Sequence, residues 1–263
     1  MNALGVDVSR WQRSVDWKLL RKAGVTFANV KASQGTQLRD PLLRSHFSGA
    51  RNAGMVTGVY HWIDPILPAA RQIDHFMAVC SGLDFDFAAL DVEQYWQSWQ
   101  EWAENRIVRC FEPGGISACA CEAAQTLRAA IKKPVVIYTR LSFVKTYAEP
   151  MQDWLSGWPL WLAFYPYPSG RVNVSWESLQ HEHLPKRKGP DLPGGASDWH
   201  FWQFSGDRFV LPGADSPLDL SFFNGSEEQL RAWCGAGSAA ESEISDVEKL
   251  RLLWEAHPEL RRP

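Results

Sequence analysis

The feature that most restricts this chain is a rhythm: short apolar runs rich in β-branched residues alternate five times with segments of helical periodicity. The predicted strands are residues 3–9 (ALGVDVS), 26–33 (TFANVKAS), 55–63 (MVTGVYHWI), 87–93 (FAALDVE) and 134–140 (PVVIYTR). Helical patterns fill 16–23, 41–53 and 68–80, and the longer region 96–131 has room for two helices. Gly24, Gly54, Gly82 and the pair Gly114-Gly115 fall at or near helix ends, where a residue free to adopt positive φ closes the last turn. Strands that are apolar nearly throughout, joined by helices, imply a parallel sheet covered on its outside. At 263 residues a closed barrel is favoured over an open sheet.

After Arg140 the rhythm changes. Residues 160–165, 200–205 and 218–225 still read as strands, but the segments between them carry Pro and Gly in place of helical periodicity. Residues 166–197, with Pro166, Pro168, Pro185, Pro190 and Pro193, read as one long loop. A helix over 227–233 seals the domain, which sets a catalytic barrel at 1–234. The remainder, 235–263, reads as a small-residue linker followed by a short amphipathic helix with Ile244, Val247 and Trp254 on one stripe. That helix either packs back on the barrel or serves as an interaction tag.

Composition removes several classes of function. With 27 Lys and Arg against 30 Asp and Glu, the net charge of −3 supplies no basic field for nucleic acid. No apolar run reaches the roughly 18 residues of a membrane span. Fourteen Trp, 13 Phe and 6 Tyr suit either stacking on sugar rings or an aromatic core. The five cysteines are odd in number and irregularly spaced, so free thiols are expected. His181-Glu182-His183 lacks the i, i+4 spacing of a helical zinc motif, and neither a metal nor another cofactor is expected. The opening MNALGVDVSRWQ shows no basic or long apolar leader, so no secretory signal is expected in the chain.

The chemistry concentrates in four carboxylates. Asp7 ends the first predicted strand, Asp91 and Glu93 end the fourth, and Asp219 sits in the last. In a strand, residues i and i+2 project from one face, so Asp91 and Glu93 enter the barrel mouth together while Val92 packs outward. Two adjacent carboxylates repel when both are ionised, which holds a proton on one of them to higher pH. The result is a general acid beside an anionic stabiliser, the division of labour that glycoside hydrolysis needs. Such a pattern also fits a solvated strand end paired with Lys31 or an arginine. If the pair is catalytic, its short spacing leaves no room for an inverting water, and retention of configuration is expected. Asp91 then either bonds the sugar or supports attack by a group of the substrate itself.

The neighbours narrow the choice. Asp7 stands in GVDVSRWQ, Lys31 in NVKASQG, Tyr60 in GVYHW, Asp91 and Glu93 in ALDVE, Tyr138 in IYT, Trp161 in PLWLAFY, Gln203 in FWQFS and Asp219 in LDLSFFNG. In this order they resemble the lysozymes of glycoside hydrolase family 25, over residues 4–225. The resemblance implies a TIM-like α/β fold, a (β/α)5β3 barrel, that cleaves the β-1,4 bond between N-acetylmuramic acid and N-acetylglucosamine in bacterial peptidoglycan. It assigns proton donation to Glu93 and charge stabilisation to Asp91, and gives Asp7 and Asp219 roles in positioning substrate or tuning the pair. Tyr60, Tyr138 and Trp161 match aromatic groove positions, and Lys31 and Gln203 are carried over as substrate-binding residues. The expected partner is the peptidoglycan glycan strand at the cell wall, met by a monomer released through a phage holin or secreted after processing. The departures are Gln34, where Glu is usual, Trp62, where Phe is commoner, and long stretches at 94–116 and 166–199. A chitin-type glycosidase and a wall-binding module with a dead site are the other readings, and the four intact acids argue against the latter.

Three tryptophans cluster between residues 96 and 102. Trp96 and Trp99 lie on a helical stripe continued by Ala103, Ile107 and Cys110, which predicts burial for both. Trp102 falls off that stripe, either exposed near the groove or covered by the Pro-rich loop.

Overall fold

The computed structural model of the protein describes residues 2–166 and 179–239. All eight predicted strands form: β1 (Ala3–Val8), β2 (Val25–Gln34), β4 (Val56–Trp62), β5 (Phe87–Asp91), β6 (Val135–Thr139), β7 (Leu160–Ala163), β8 (Phe201–Phe209) and β9 (Leu218–Phe223). A two-residue strand, β3 (Leu38–Arg39), hairpins onto the end of β2. Around the barrel the order is β1-β2-β4-β5-β6-β7-β8-β9, and β9 returns to pair with β1. The expected helices are present as α1 (Trp17–Lys22), α2 (Leu43–Asn52), α3 (Ala69–Val79), α4 (Trp99–Ala103) and α5 (Pro113–Ala130). The fold is thus the expected TIM-like eight-stranded barrel.

Four details differ from the sequence reading. The last strand is antiparallel to both neighbours, β8 and β1. Only residues 210–217 join β8 to β9, short of the dozen or so residues that a parallel crossover needs, so the chain turns back as a hairpin. A helix absent from the prediction, α6 (Leu141–Tyr147), follows β6 and buries Phe143 and Val144. The closing helix, α7 (Glu227–Ala239), runs past the expected end at Trp233. The stripe through Trp96 and Cys110 is not helical: those residues pair in an antiparallel bridge, and α4 spans five residues between them. The predicted linker and amphipathic helix fall almost wholly on 240–263, outside the described residues. All five cysteines are free thiols.

Strand alternation sorts the core into two layers. Outward residues such as Val6, Ala28, Val30, Leu90 and Ile137 pack beneath the helices. Inward residues near the start of the parallel strands and at the end of antiparallel β9 build an aromatic plug: Phe27, Phe87 and Phe223 each contact the ring of Phe201, with centroids 5.4, 5.0 and 5.3 Å away. Helix α7 covers this end with Leu230 and Trp233, the latter against Phe87, Phe201 and Phe223. The plug has no slack. At Gly58, beside Phe87 in the register, an added Cβ would collide with the Phe87 ring. Gly58→Ala is therefore expected to cost about 1–3 kcal/mol and lower the melting temperature by roughly 3–10 °C. Calorimetry showing an unchanged transition would mean that the ring has room to move.

Candidate active site

The inward residues change character along each strand. In β5, Phe87 lies in the plug, Ala89 one step above it and Asp91 at the mouth, while Ala88 and Leu90 face the helices. In β1 the same two-residue step carries Ala3 and Gly5 to Asp7. Register then fixes the neighbours: Asp91 lies beside Trp62 of β4 and Tyr138 of β6, and Asp7 beside Asn29 of β2 and Asp219 of β9. Because β9 is antiparallel, Asp219 reaches the mouth from the beginning of its strand.

A cavity of about 170 Å³ opens there. All nine sequence-predicted site residues line it: Asp7, Asp91, Glu93 and Asp219 with Lys31, Tyr60, Tyr138, Trp161 and Gln203. Trp161 and Tyr138 are buried and form the floor, their rings edge to face at 4.6 Å, with Tyr60 edge-on to Trp161 at 6.3 Å. Trp62, Trp11 and Gln12 complete the rim.

Asp7 is the most heavily bonded of the four acids in the cleft. Its Oδ1 accepts from Asn29 Nδ2 at 2.7 Å, and its Oδ2 accepts from Gln203 Nε2 at 3.0 Å and Ser221 Oγ at 2.9 Å. Trp161 Nε1 donates to Ser221 Oγ at 3.1 Å, and Tyr138 and Tyr165 hydroxyls donate to Gln203 Oε1 at 2.9 and 3.0 Å. Burial pushes the Asp7 carboxyl up to about 7, and the three donors hold it from rising further. Asp219 Oδ1 accepts the Asp207 amide at 2.7 Å from a residue in the left-handed region, φ 42°. Burial first, then Asp7, raises Asp219 well above the carboxylate range.

Asp91 and Glu93 are satisfied less fully. The Oδ1 of Asp91 is buried with no hydrogen-bond partner among the described residues. Burial and the adjacent Glu93 raise Asp91 well above its ordinary value, opposed by Lys31. Glu93 is raised by burial, opposed by Arg140 and Lys31. Lys31 is the local cation: its Nζ donates to Gln34 Oε1 at 3.3 Å and sits 4.7 Å above the Trp62 ring. Burial lowers its pKa, and Asp91 leads the charges that oppose the fall. The arrangement offers two coupled carboxyl groups able to share a proton beside a floor of rings, the equipment for acid-assisted cleavage of a glycosidic bond.

Sequence reasoning passed over Asn29, Ser221, Asp207, Trp11 and Gln12. Asn29 and Ser221 are each two residues from a predicted site residue, Lys31 and Asp219, so strand alternation carried through would have found both. Trp99, expected in the core, is 40% exposed, and Trp102 is 47% exposed. The turn at Asn105, φ 52°, and the Glu101 carboxylate, which accepts the Val108 and Arg109 amides, fold the segment back before the helical stripe can continue.

The family profile described as "Glycosyl hydrolases family 25" matches residues 6–213. "Uncharacterized protein YegX" of Escherichia coli (strain K12) is 28% identical over 235 residues, covering 87% of this chain and 72% of that protein. "Lysozyme M1" of Streptomyces globisporus is 27% identical over 243 residues, covering 87% and 70%. Among solved structures, the bacterial lysozyme from Streptomyces coelicolor superposes with a TM-score of 0.70 at 24% identity, over 90% of this chain and 99% of that one. With a profile match running from Val6 within β1 to the β8–β9 turn, the chain belongs to glycosyl hydrolase family 25 and is a glycoside hydrolase of the lysozyme type.

Proposed function

We propose that the protein cleaves the β-1,4 bond between N-acetylmuramic acid and N-acetylglucosamine in peptidoglycan with retention, using Glu93 as general acid and Asp91 as charge stabiliser. The observation that carries this reading is the position of Asp91 and Glu93 side by side in an aromatic-floored cleft, with a buried Asp91 oxygen that has no hydrogen-bond partner among the described residues. A lysozyme among the relatives supports the choice of polymer.

The cleft must hold one proton on the pair. In the free protein burial raises both carboxyls, so the pair keeps a proton above the ordinary carboxylate range. As the bond breaks, positive charge develops at the anomeric carbon and favours the Asp91 anion, so the proton is available on Glu93 for the leaving oxygen. Asp91 completes retention either as nucleophile or by supporting the substrate acetamido group. Tyr60, Tyr138 and Trp161 form the surface against which the sugar rests, while Lys31 and Gln203 reach its polar groups. Asp7 and Asp219 position substrate and tune the pair. The barrel of 1–234 with its closing helix carries the reaction, and the segment beyond it acts outside the chemistry.

Mass spectrometry of digested peptidoglycan is the direct test: fragments ending in reducing N-acetylmuramic acid support the assignment, and reducing N-acetylglucosamine ends, peptide cleavage or no cleavage sink it. Glu93→Gln and Asp91→Asn are each expected to lower kcat by on the order of 10²- to 10⁴-fold. Turnover by Glu93→Gln within a few-fold of the parent would move the acid elsewhere. NMR of the first products should show the β-anomer; the α-anomer would mean inversion. The pH profile supplies a further check. Both carboxyls are raised, so kcat/KM is expected to fall on its alkaline limb above the ordinary carboxylate range as the shared proton is lost. Lys31 lowers both, so Lys31→Met should move that limb to higher pH, and a shift in the opposite direction would contradict the electrostatic role given to Lys31.

A further inference from the structure

The segment between β5 and α5 leads a chain of indoles out of the cleft. Trp62 lines the cleft, and its ring is oriented by Nε1 donating to Oε1 of buried Gln94 at 3.0 Å. The Trp99 ring lies 6.1 Å from Trp62 and 5.4 Å from Trp102. Trp102 stacks on buried Trp96 at 5.4 Å with an interplanar angle of 22°, which leaves its opposite face to solvent. Adjacent exposed indoles, with Val108 of the same excursion exposed as well, mark a contact for something.

Their exposure is built, not a product of loose backbone. Ser98 Oγ caps α4 by accepting the Glu101 amide at 3.3 Å, and the Glu101 carboxylate accepts the Val108 and Arg109 amides at 3.1 and 3.2 Å. Gln97 N to Arg109 O at 3.0 Å and Phe111 N to Tyr95 O at 2.8 Å close the base of the excursion. The aromatic positions are therefore fixed before any partner arrives, which lowers the cost of binding.

We propose that Trp99 and Trp102 form an aromatic subsite for pyranose rings of the glycan strand where it leaves the cleft past Trp62. This rests on the function proposed above and extends it to the length of substrate engaged. The occupant follows from continuity: a strand seated against Asp91 and Glu93 that continues past Trp62 meets Trp99 next. An indole face suits the C–H face of a sugar ring while the ring hydroxyls stay in water.

The test compares long glycan strands freed of their stem peptides with a soluble tetrasaccharide too short to pass Trp62. Trp99→Ala and Trp102→Ala are each expected to raise KM for long strands roughly three- to tenfold, with tetrasaccharide turnover within twofold of the parent. Trp102→Phe, which keeps a ring, should recover most of the difference. If Trp102→Ala lowers the melting temperature by uncovering Trp96, Trp99→Ala carries the comparison. Equal losses on both substrates, or none on long strands, overturn the subsite. Losses only on strands that retain stem peptides would assign the indoles to peptide and overturn the sugar assignment. A parent protein that cleaves neither substrate refutes the proposed function, and this inference with it.

Discussion

One buried carboxylate, Asp7, ties four strands together at the level where the barrel interior changes from hydrocarbon to polar. Its oxygens accept from Asn29 on β2, Gln203 on β8 and Ser221 on β9 while its own backbone lies in β1. These are the strands at which the sheet closes on itself, including the two antiparallel joins. A buried acid without donors would be costly; with three it becomes a fixed post. Through Gln203 the post reaches Tyr138, and through Ser221 it reaches Trp161, so the cleft floor inherits the geometry of the closure. Asp91 stands outside this network, with one oxygen that has no partner among the described residues. Rigidity and unspent polarity are thereby kept on separate residues.

The layers below explain why this division is affordable. Phe27, Phe87, Phe201 and Phe223 fill the base, and the glycines opposite them let the rings approach the strands. Stability comes from this plug and from the outer shell under the helices, which leaves the upper interior free to hold four acids that burial raises, Asp91 and Asp219 being raised further by their acidic neighbours.

Much of this was legible in the sequence because it rests on short-range rules. Eight runs of β-branched and aromatic residues became eight strands, and the two-residue period placed Asp91 with Glu93 in the cleft. Rhythm and length favoured the closed barrel, and the resemblance of scattered motifs added Lys31, Gln203 and the aromatic members of the site. What escaped depends on contacts between distant residues. The direction of β9 is set by a connection too short to cross the barrel. The path of 96–111 is set by Glu101 binding amides seven and eight residues away, which overrides a convincing helical stripe. Helix α6 follows β6 without a capping side chain to announce it, and its burial of Phe143 and Val144 depends on the finished barrel.

The position of α7 bears on how the molecule can be attached to anything. Its Trp233 seals the end of the barrel opposite the cleft, and Arg21, which pairs with Glu227 at 2.9 Å, lies on that same side. A support or fusion partner joined through this helix would hold the protein by its base, with the mouth directed away from the point of attachment. Immobilisation from that end leaves the approach of a long polymer unobstructed, whereas anchoring through the segment that carries Trp102 would turn the cleft toward the surface.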